Sequence, residues 1–62
     1  MSATTDKIKG LTQGLTQDNL QQSKAEISAI ASTVDTLPAQ EANEVRQAIE
    51  GFNQARFRLF GM

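Results

Sequence analysis

Apolar side chains recur at alternating steps of three and four residues along the second half of this chain. The inward positions of this stripe are Ala42, Val45, Ile49, Phe52, Arg56 and Leu59, and Arg56 is the one charged residue among them. This spacing is typical of one face of an α-helix, and read as a heptad it marks a seam against a second helix. Pro38 suits the first turn, where its missing N–H costs nothing, and Gly61 suits the end. We predict a long helix over residues 38–60.

The preceding segment shows the same helical spacing. Its stripe consists of Leu20, Ser23, Ile27, Ile30, Val34 and Leu37. Thr16 or Asp18 can supply the N-cap oxygen, so we predict a second long helix over residues 16–36. The residues before Pro38 are pushed out of the α region, and the connection between the segments is short. The two helices are therefore expected to run antiparallel.

The N-terminal segment carries a less regular pattern. Ile8, Leu11 and Leu15 repeat at helical spacing, so one face is apolar. Gly10 and Gly14 each cost ~1 kcal/mol relative to alanine inside a helix. We therefore predict a short, weakly stable helix with a bend near Gly14, which becomes fully ordered when something binds it.

These segments form one domain over residues 1–62, divided at 1–15, 16–36 and 38–60. The predicted class is all-α: an antiparallel helical hairpin of two long helices with a short N-terminal helix. A chain of 62 residues buries only ~60% of its unfolded surface, and this one has no cysteine for a disulfide and no histidine for a metal site. We therefore expect self-association, with two hairpins assembling into a four-helix bundle.

The stripes supply the candidate contacts between copies. The predicted oligomer seam consists of Ile27, Ile30, Val34, Val45, Ile49 and Phe52. Phe57, Leu59 and Phe60 do not all fit a narrow seam, so they are candidate contacts to a partner protein. Packing of these three residues on the N-terminal segment, or on a second copy, is the alternative.

Small residues lie beside the stripe of the last helix. They are Ala48, Gly51 and Ala55. Small side chains let helix backbones approach below the usual ~8–10 Å separation. Close packing within the hairpin is the favoured interpretation, and docking of a second hairpin is the alternative.

The charges argue against most nucleic-acid and membrane partners. Six Lys and Arg against seven Asp and Glu give a formal net charge of −1, without the basic excess typical of nucleic-acid-binding domains. Acidic residues gather at the predicted turn end and basic residues at the open end, so hairpins stacked end to end would attract. The candidate phosphate contacts at the basic end are Lys7, Lys9, Arg56 and Arg58. Clusters of this size are more often simply solvated.

Residues that carry chemistry are scarce. The sequence has neither Cys nor His, so its serines have no histidine to activate them, and no glycine loop with a phosphate-binding lysine is present. We predict no enzymatic activity and no cofactor or metal. No apolar run approaches the ~20 residues of a membrane span. The first ten residues lack the apolar core of a secretory signal, so a cytoplasmic location is expected.

In size and outline the predicted architecture resembles two groups of small helical proteins. One is the Rop-type RNA-binding proteins, helical hairpins that pair into four-helix bundles. The other is the hairpin subunits of type III secretion needles, which stack into filaments. The leading interpretation is a non-enzymatic protein that acts through contacts with itself or with another protein. A small RNA-binding regulator and a subunit of a filament, virion or secretion assembly are the alternatives.

Overall fold

Three α-helices and one 3₁₀ turn make up the fold. The computed structural model describes residues 2–62. The helices are α1 (Ala3–Gln13), α2 (Leu20–Ala31) and α3 (Ala39–Phe60), and the 3₁₀ turn is Val34–Thr36. No strand occurs in this part of the chain. The predicted all-α class is therefore confirmed.

α3 begins and ends at the residues that its local sequence signals indicate. The carbonyl of Pro38 accepts a hydrogen bond from the Ala42 N–H at 2.8 Å, one turn into the helix. Gly61 takes a left-handed conformation with φ 72°, and its N–H donates to the Phe57 carbonyl at 2.9 Å. Glycine adopts this conformation without steric cost, which is why it commonly ends helices. The observed helix starts one residue later than the predicted span of 38–60.

α2 starts later than the predicted helix over residues 16–36. The Asn19 side chain organises the turn before it: Oδ1 accepts from the Thr16 N–H at 2.9 Å, and Nδ2 donates to the Gly14 carbonyl at 2.9 Å. In return, the Thr16 hydroxyl accepts from the Asn19 N–H at 3.2 Å. These bonds stabilise a turn over residues 16–19. The N-cap of α2 is therefore Asn19, and the prediction of Thr16 or Asp18 is wrong.

α2 also ends earlier than predicted. The hydroxyls of Ser32 and Thr33 donate to backbone carbonyls three residues earlier, at 2.7 and 3.0 Å. Serine and threonine compete for backbone groups in this way and so favour turns over helix interiors. The two helices of similar length that the sequence predicts are in fact 12 and 22 residues long.

α1 is better anchored than the sequence suggests. The Ser2 hydroxyl caps it by accepting from the Thr5 N–H at 3.0 Å and donating to the Thr5 hydroxyl at 2.8 Å. Ile8 has no exposed surface at all, and Thr5 is also buried. The helix ends at Gln13 with Gly14 as its C-cap, where the sequence predicts a bend.

α3 packs mainly on α1, and these two helices run parallel. Ser2, before the start of α1, lies in one groove with Glu41 near the start of α3. Thr12, near the end of α1, lines another groove with Gly51, further along α3. The molecule measures 33 × 17 × 16 Å, and the ~1.5 Å rise per residue of a helix makes α3 alone as long as its longest dimension. The N-terminal segment thus adds a third layer.

One hydrophobic core lies between the three helices. Ile8, Val45 and Phe52 are its most deeply buried large side chains. The other members of the core are Leu15, Leu20, Ile27, Val34 and Ala42. Every buried side-chain nitrogen or oxygen in residues 2–62 has a hydrogen-bond partner.

The predicted stripe of α3 is wrong in its last two turns. Ala55 is buried, whereas Arg56 is only partly buried and Leu59 is exposed. A helix that packs against two neighbours buries a wider stripe than the narrow seam of a two-helix coiled coil, so Ala55 is included. Leu59 lies two turns beyond Phe52 in the same direction, but no neighbouring element covers it.

Candidate protein interface

Exposed apolar side chains concentrate at one end of the molecule. Phe57, Leu59 and Met62 are 60%, 55% and 50% exposed, and the other large apolar side chains of residues 2–62 are buried or partly buried. We call these three residues the apolar tip. Single exposed hydrophobic residues are common on protein surfaces, but several of them grouped at one end of a molecule often mark a site of interaction.

The structure separates the three predicted partner contacts. Phe57 and Leu59 belong to the apolar tip, whereas Phe60 is partly buried and packs against the core. Phe57 and Leu59 are two residues apart, so they project from different sides of α3. The tip is therefore a protruding end with apolar groups around it, not one flat face.

Two arginines flank the apolar tip. The Arg56 guanidinium lies 5.0 Å from the centre of the Phe57 ring, its Nε donates to Asn53 Oδ1 at 3.1 Å, and its Nη1 contacts the Met62 carbonyl. These contacts hold Arg56 in place. Arg58 is exposed, and its side chain has neither a hydrogen bond nor an ion pair with any described residue. The tip thus combines apolar surface with positive charge.

A groove with a volume of about 450 Å³ lies between α1 and α3. Residues that line it include Thr5, Lys9 and Thr12 of α1 and Glu44, Ala48 and Gly51 of α3. A Cβ built on Gly51 would meet no heavy atom within 4 Å, so the space beside this residue is open. We call this feature the α1–α3 groove. The groove was not predicted, because the sequence does not determine the separation of α1 and α3. The small residues Ala48 and Gly51 were the one sequence feature that pointed to open space on this side of α3.

The α1–α3 groove is acidic at the end formed by the first turns of α3. Glu44 lines both this groove and a second one that contains Glu41. Neither carboxylate forms an ion pair with another residue of the described part of the chain. Asp35 near the same end is paired with Arg46 at 3.0 Å. The acidic end and the basic apolar tip therefore lie at opposite ends of α3.

Most of the predicted oligomer seam lies inside a single chain. The buried members are Ile27, Val34, Val45 and Phe52. Ile30 and Ile49 are only partly buried and pack against the edge of the core. Both side chains keep part of their surface exposed, and the seam as a whole stays a prediction.

The four predicted phosphate contacts do not converge on one site. The Lys7 ammonium lies 3.6 Å from Glu26. Lys9 lines the α1–α3 groove, whereas Arg56 lines a separate groove between α2 and α3. Arg58 lies beside the apolar tip. RNA binding stays a prediction, and within this arrangement it would depend on the two arginines.

No cluster of three or more His, Cys, Asp or Glu residues in positions 2–62 is placed to hold a metal ion. Across the same residues, none of the helices combines the length and apolarity that crossing a membrane requires.

No protein-family model matches this chain, and no curated protein or solved structure matches it significantly. The candidate functional features of this chain are therefore its own surfaces: the apolar tip, the α1–α3 groove and the acidic end.

Proposed function

We propose that this chain is a small non-enzymatic protein that acts through protein contacts made by the apolar tip. One observation carries the proposal: Phe57, Leu59 and Met62 are each at least half exposed at one end of the molecule, whereas the other large apolar side chains of residues 2–62 are buried or partly buried. Removing apolar surface from water is worth ~25 cal/mol per Å². A partner that covers the tip therefore gains binding energy without disturbing the core.

Self-association is part of this proposal. In the form expected from the sequence, α2 and α3 act as a hairpin and two copies pair as a four-helix bundle in the cytoplasm. Partial exposure of Ile30 and Ile49 supports such pairing. The single chain depends less on self-association for its stability than the sequence suggests, because α1 already packs as a third layer.

The second candidate function is that of an assembly subunit in a filament or larger particle. The observation that favours it is the difference between the two ends of α3, one with Glu41 and Glu44 and the other with Arg56 and Arg58. Surfaces of opposite charge at opposite ends favour repeated head-to-tail contacts, which do not close as a symmetric dimer does.

The test uses the double variant Phe57→Ser, Leu59→Ser. Since neither side chain is buried, its free energy of unfolding is expected to stay within ~0.5 kcal/mol of the wild type. Urea denaturation followed by far-UV circular dichroism measures this, because the chain has no Trp or Tyr. Sedimentation equilibrium with interference optics then measures mass, and the variant is expected to associate less than the wild type.

The matched control is Gln21→Ser, Gln22→Ser, two exposed positions on α2. It is expected to sediment as the wild type does. A loss of more than ~2 kcal/mol of stability in the tip variant would show that the tip serves the fold, and the proposal would be wrong.

A further inference from the structure

We propose that the apolar tip of one copy docks in the α1–α3 groove of the next, so that the chain assembles head to tail. This inference rests on the proposed function and names the partner of the tip as a second copy of this chain. Phe57 enters the groove beside Gly51, and Arg58 lies against Glu44.

The fold does not require a glycine at position 51, in the wall of the groove. It lies inside α3, its φ is not positive, and a Cβ there would meet no heavy atom within 4 Å. Glycine lowers the stability of a helix interior relative to alanine, so the isolated chain would be more stable with a side chain at this position. Its absence keeps the groove open to a bulky group from outside.

The groove is large enough to admit the exposed ring of Phe57. Its volume of about 450 Å³ falls within the ~300–1,000 Å³ range of pockets that hold small organic groups. Ala48 and Gly51 give its α3 wall a small, uncharged stretch. Phe57, at 60% exposure, is the largest exposed apolar side chain of the described residues. Aromatic side chains bury a large apolar area and dominate the energetics of many interfaces.

Charge favours a tip-to-groove contact over a tip-to-tip contact. Two tips that face each other across a twofold axis would bring the Arg56 and Arg58 side chains of both copies together, and like charges repel. In a tip-to-groove contact Arg58 meets Glu44, and Glu41 lies nearby. Lys9 on the α1 wall of the groove offsets part of this attraction.

The contact uses two different surfaces of each copy. It is therefore heterologous, and repeated contacts form either a ring or an open filament. A specific interface covers ~800 Å² on each partner, roughly a fifth of the 4128 Å² surface of this chain. The tip and the groove lie on different parts of α3, so one copy can use both surfaces at once.

The experiment is a complementation test with two variants. The tip variant is Phe57→Ser, Leu59→Ser, and the groove variant is Gly51→Leu, which fills the open space beside α3. Each variant alone is expected to associate roughly tenfold or more weakly than the wild type, because each lacks one half of the contact. An equimolar mixture retains one intact tip and one intact groove. It is expected to form 1:1 dimers and nothing larger in sedimentation equilibrium.

Gly10→Leu is the matched control for the groove variant. Gly10 also lies inside a helix with no heavy atom within 4 Å of a built Cβ, but it does not line the groove. This variant is expected to assemble as the wild type does. Far-UV circular dichroism verifies that every variant is helical. If Gly51→Leu does not fold, Gly51→Ala replaces it, with weaker association expected from its smaller side chain.

Three results would overturn the inference, and they separate it from the proposed function. If the wild type assembles but the mixture stays monomeric, the tip-to-groove pairing is wrong, while loss of assembly in the tip variant still supports the tip as a contact. Assembly of Gly51→Leu at wild-type strength shows that the groove is not the partner surface. A wild type that stays monomeric up to its solubility limit excludes a second copy as the occupant.

Discussion

The covered part of α3 and its last turn both carry large apolar side chains, but these lie in opposite environments. Val45 and Phe52 are almost completely buried, whereas Phe57 and Leu59 are more than half exposed. All four belong to the same continuous helix. Neighbouring elements surround the first pair. Leu59 continues the same face beyond its covered part, whereas Phe57 projects from a different side of the helix. The periodicity of a helix thus predicts which face can be buried, and the lengths of its neighbours decide how far along the helix that face is covered.

The sharpest test of this comparison is the pair Phe52→Ala and Phe57→Ala. Truncating a buried phenylalanine costs ~3–5 kcal/mol, a large part of the stability of so small a domain. Phe52→Ala is therefore expected to leave the chain largely unfolded at 37 °C, while Phe57→Ala changes the free energy of unfolding by less than ~0.5 kcal/mol. Thermal unfolding followed by circular dichroism distinguishes the two. Similar losses in both variants would contradict the comparison.

The next largest effect is expected at Ile8, which tests whether α1 is an integral layer. Ile8→Ala removes a fully buried side chain and is expected to cost ~2–5 kcal/mol. On heating, the circular dichroism signal of all three helices is expected to fall in a single transition. The reason is that α3 loses its main packing partner when α1 detaches. Leu11→Ala, at a partly buried position of the same helix, serves as the milder control. A local loss of helicity confined to α1 would mean that α2 and α3 fold without it.

Replacing the two glycines of α3 and its end is expected to change stability by a smaller amount and in opposite directions. Gly51→Ala is expected to stabilise the chain by ~0.5–1 kcal/mol, because the helix accepts a Cβ there without contact. Gly61→Ala is expected to destabilise it by ~1 kcal/mol, because Gly61 has a φ of 72° that residues with a Cβ rarely adopt. Urea midpoints measure both. Stabilisation by Gly61→Ala would contradict the left-handed end of α3.

The smallest effect on stability is expected from charge at the tip. Arg58→Glu replaces an exposed cation with an anion and is expected to change the free energy of unfolding by less than ~1 kcal/mol. Its association is expected to be several-fold weaker in low salt and similar to the wild type in high salt, where surface charges are screened. Sedimentation equilibrium at two salt concentrations measures this difference. Equal association at low salt would exclude Arg58 from the contact.

Local signals made some elements predictable. Pro38 and Gly61 mark the bounds of α3 because they act on the backbone next to them. The end of α2 was not predicted because the hydroxyls of Ser32 and Thr33 compete for the backbone carbonyls of the helix. The spacing of apolar residues gives no information about this competition. The anchoring of α1 was missed because the burial of Ile8 depends on α3, far away in sequence.

The candidate interface was predictable only in part. Phe57 and Leu59 are exposed, as a partner contact requires, but Phe60 in the same turn is partly buried and packs against the core. The α1–α3 groove depends on how two distant helices pack, and no pattern within either helix determines that spacing. Gly51 was visible as a small residue, but only the structure shows the open space beside it.

The parallel packing of α1 on α3 affects the order of folding events. The two helices are separated in sequence by all of α2, so their contact closes a long loop, and long loops close at greater entropic cost than short ones. Pairing of α2 with α3 is local, and it is expected to form first. In stopped-flow refolding, Ile8→Ala should accelerate unfolding while leaving the folding rate nearly unchanged. α1, the first helix in the sequence, is then the last to pack. The unfolding rate of the native state is accordingly set by the rate at which α1 detaches from α3.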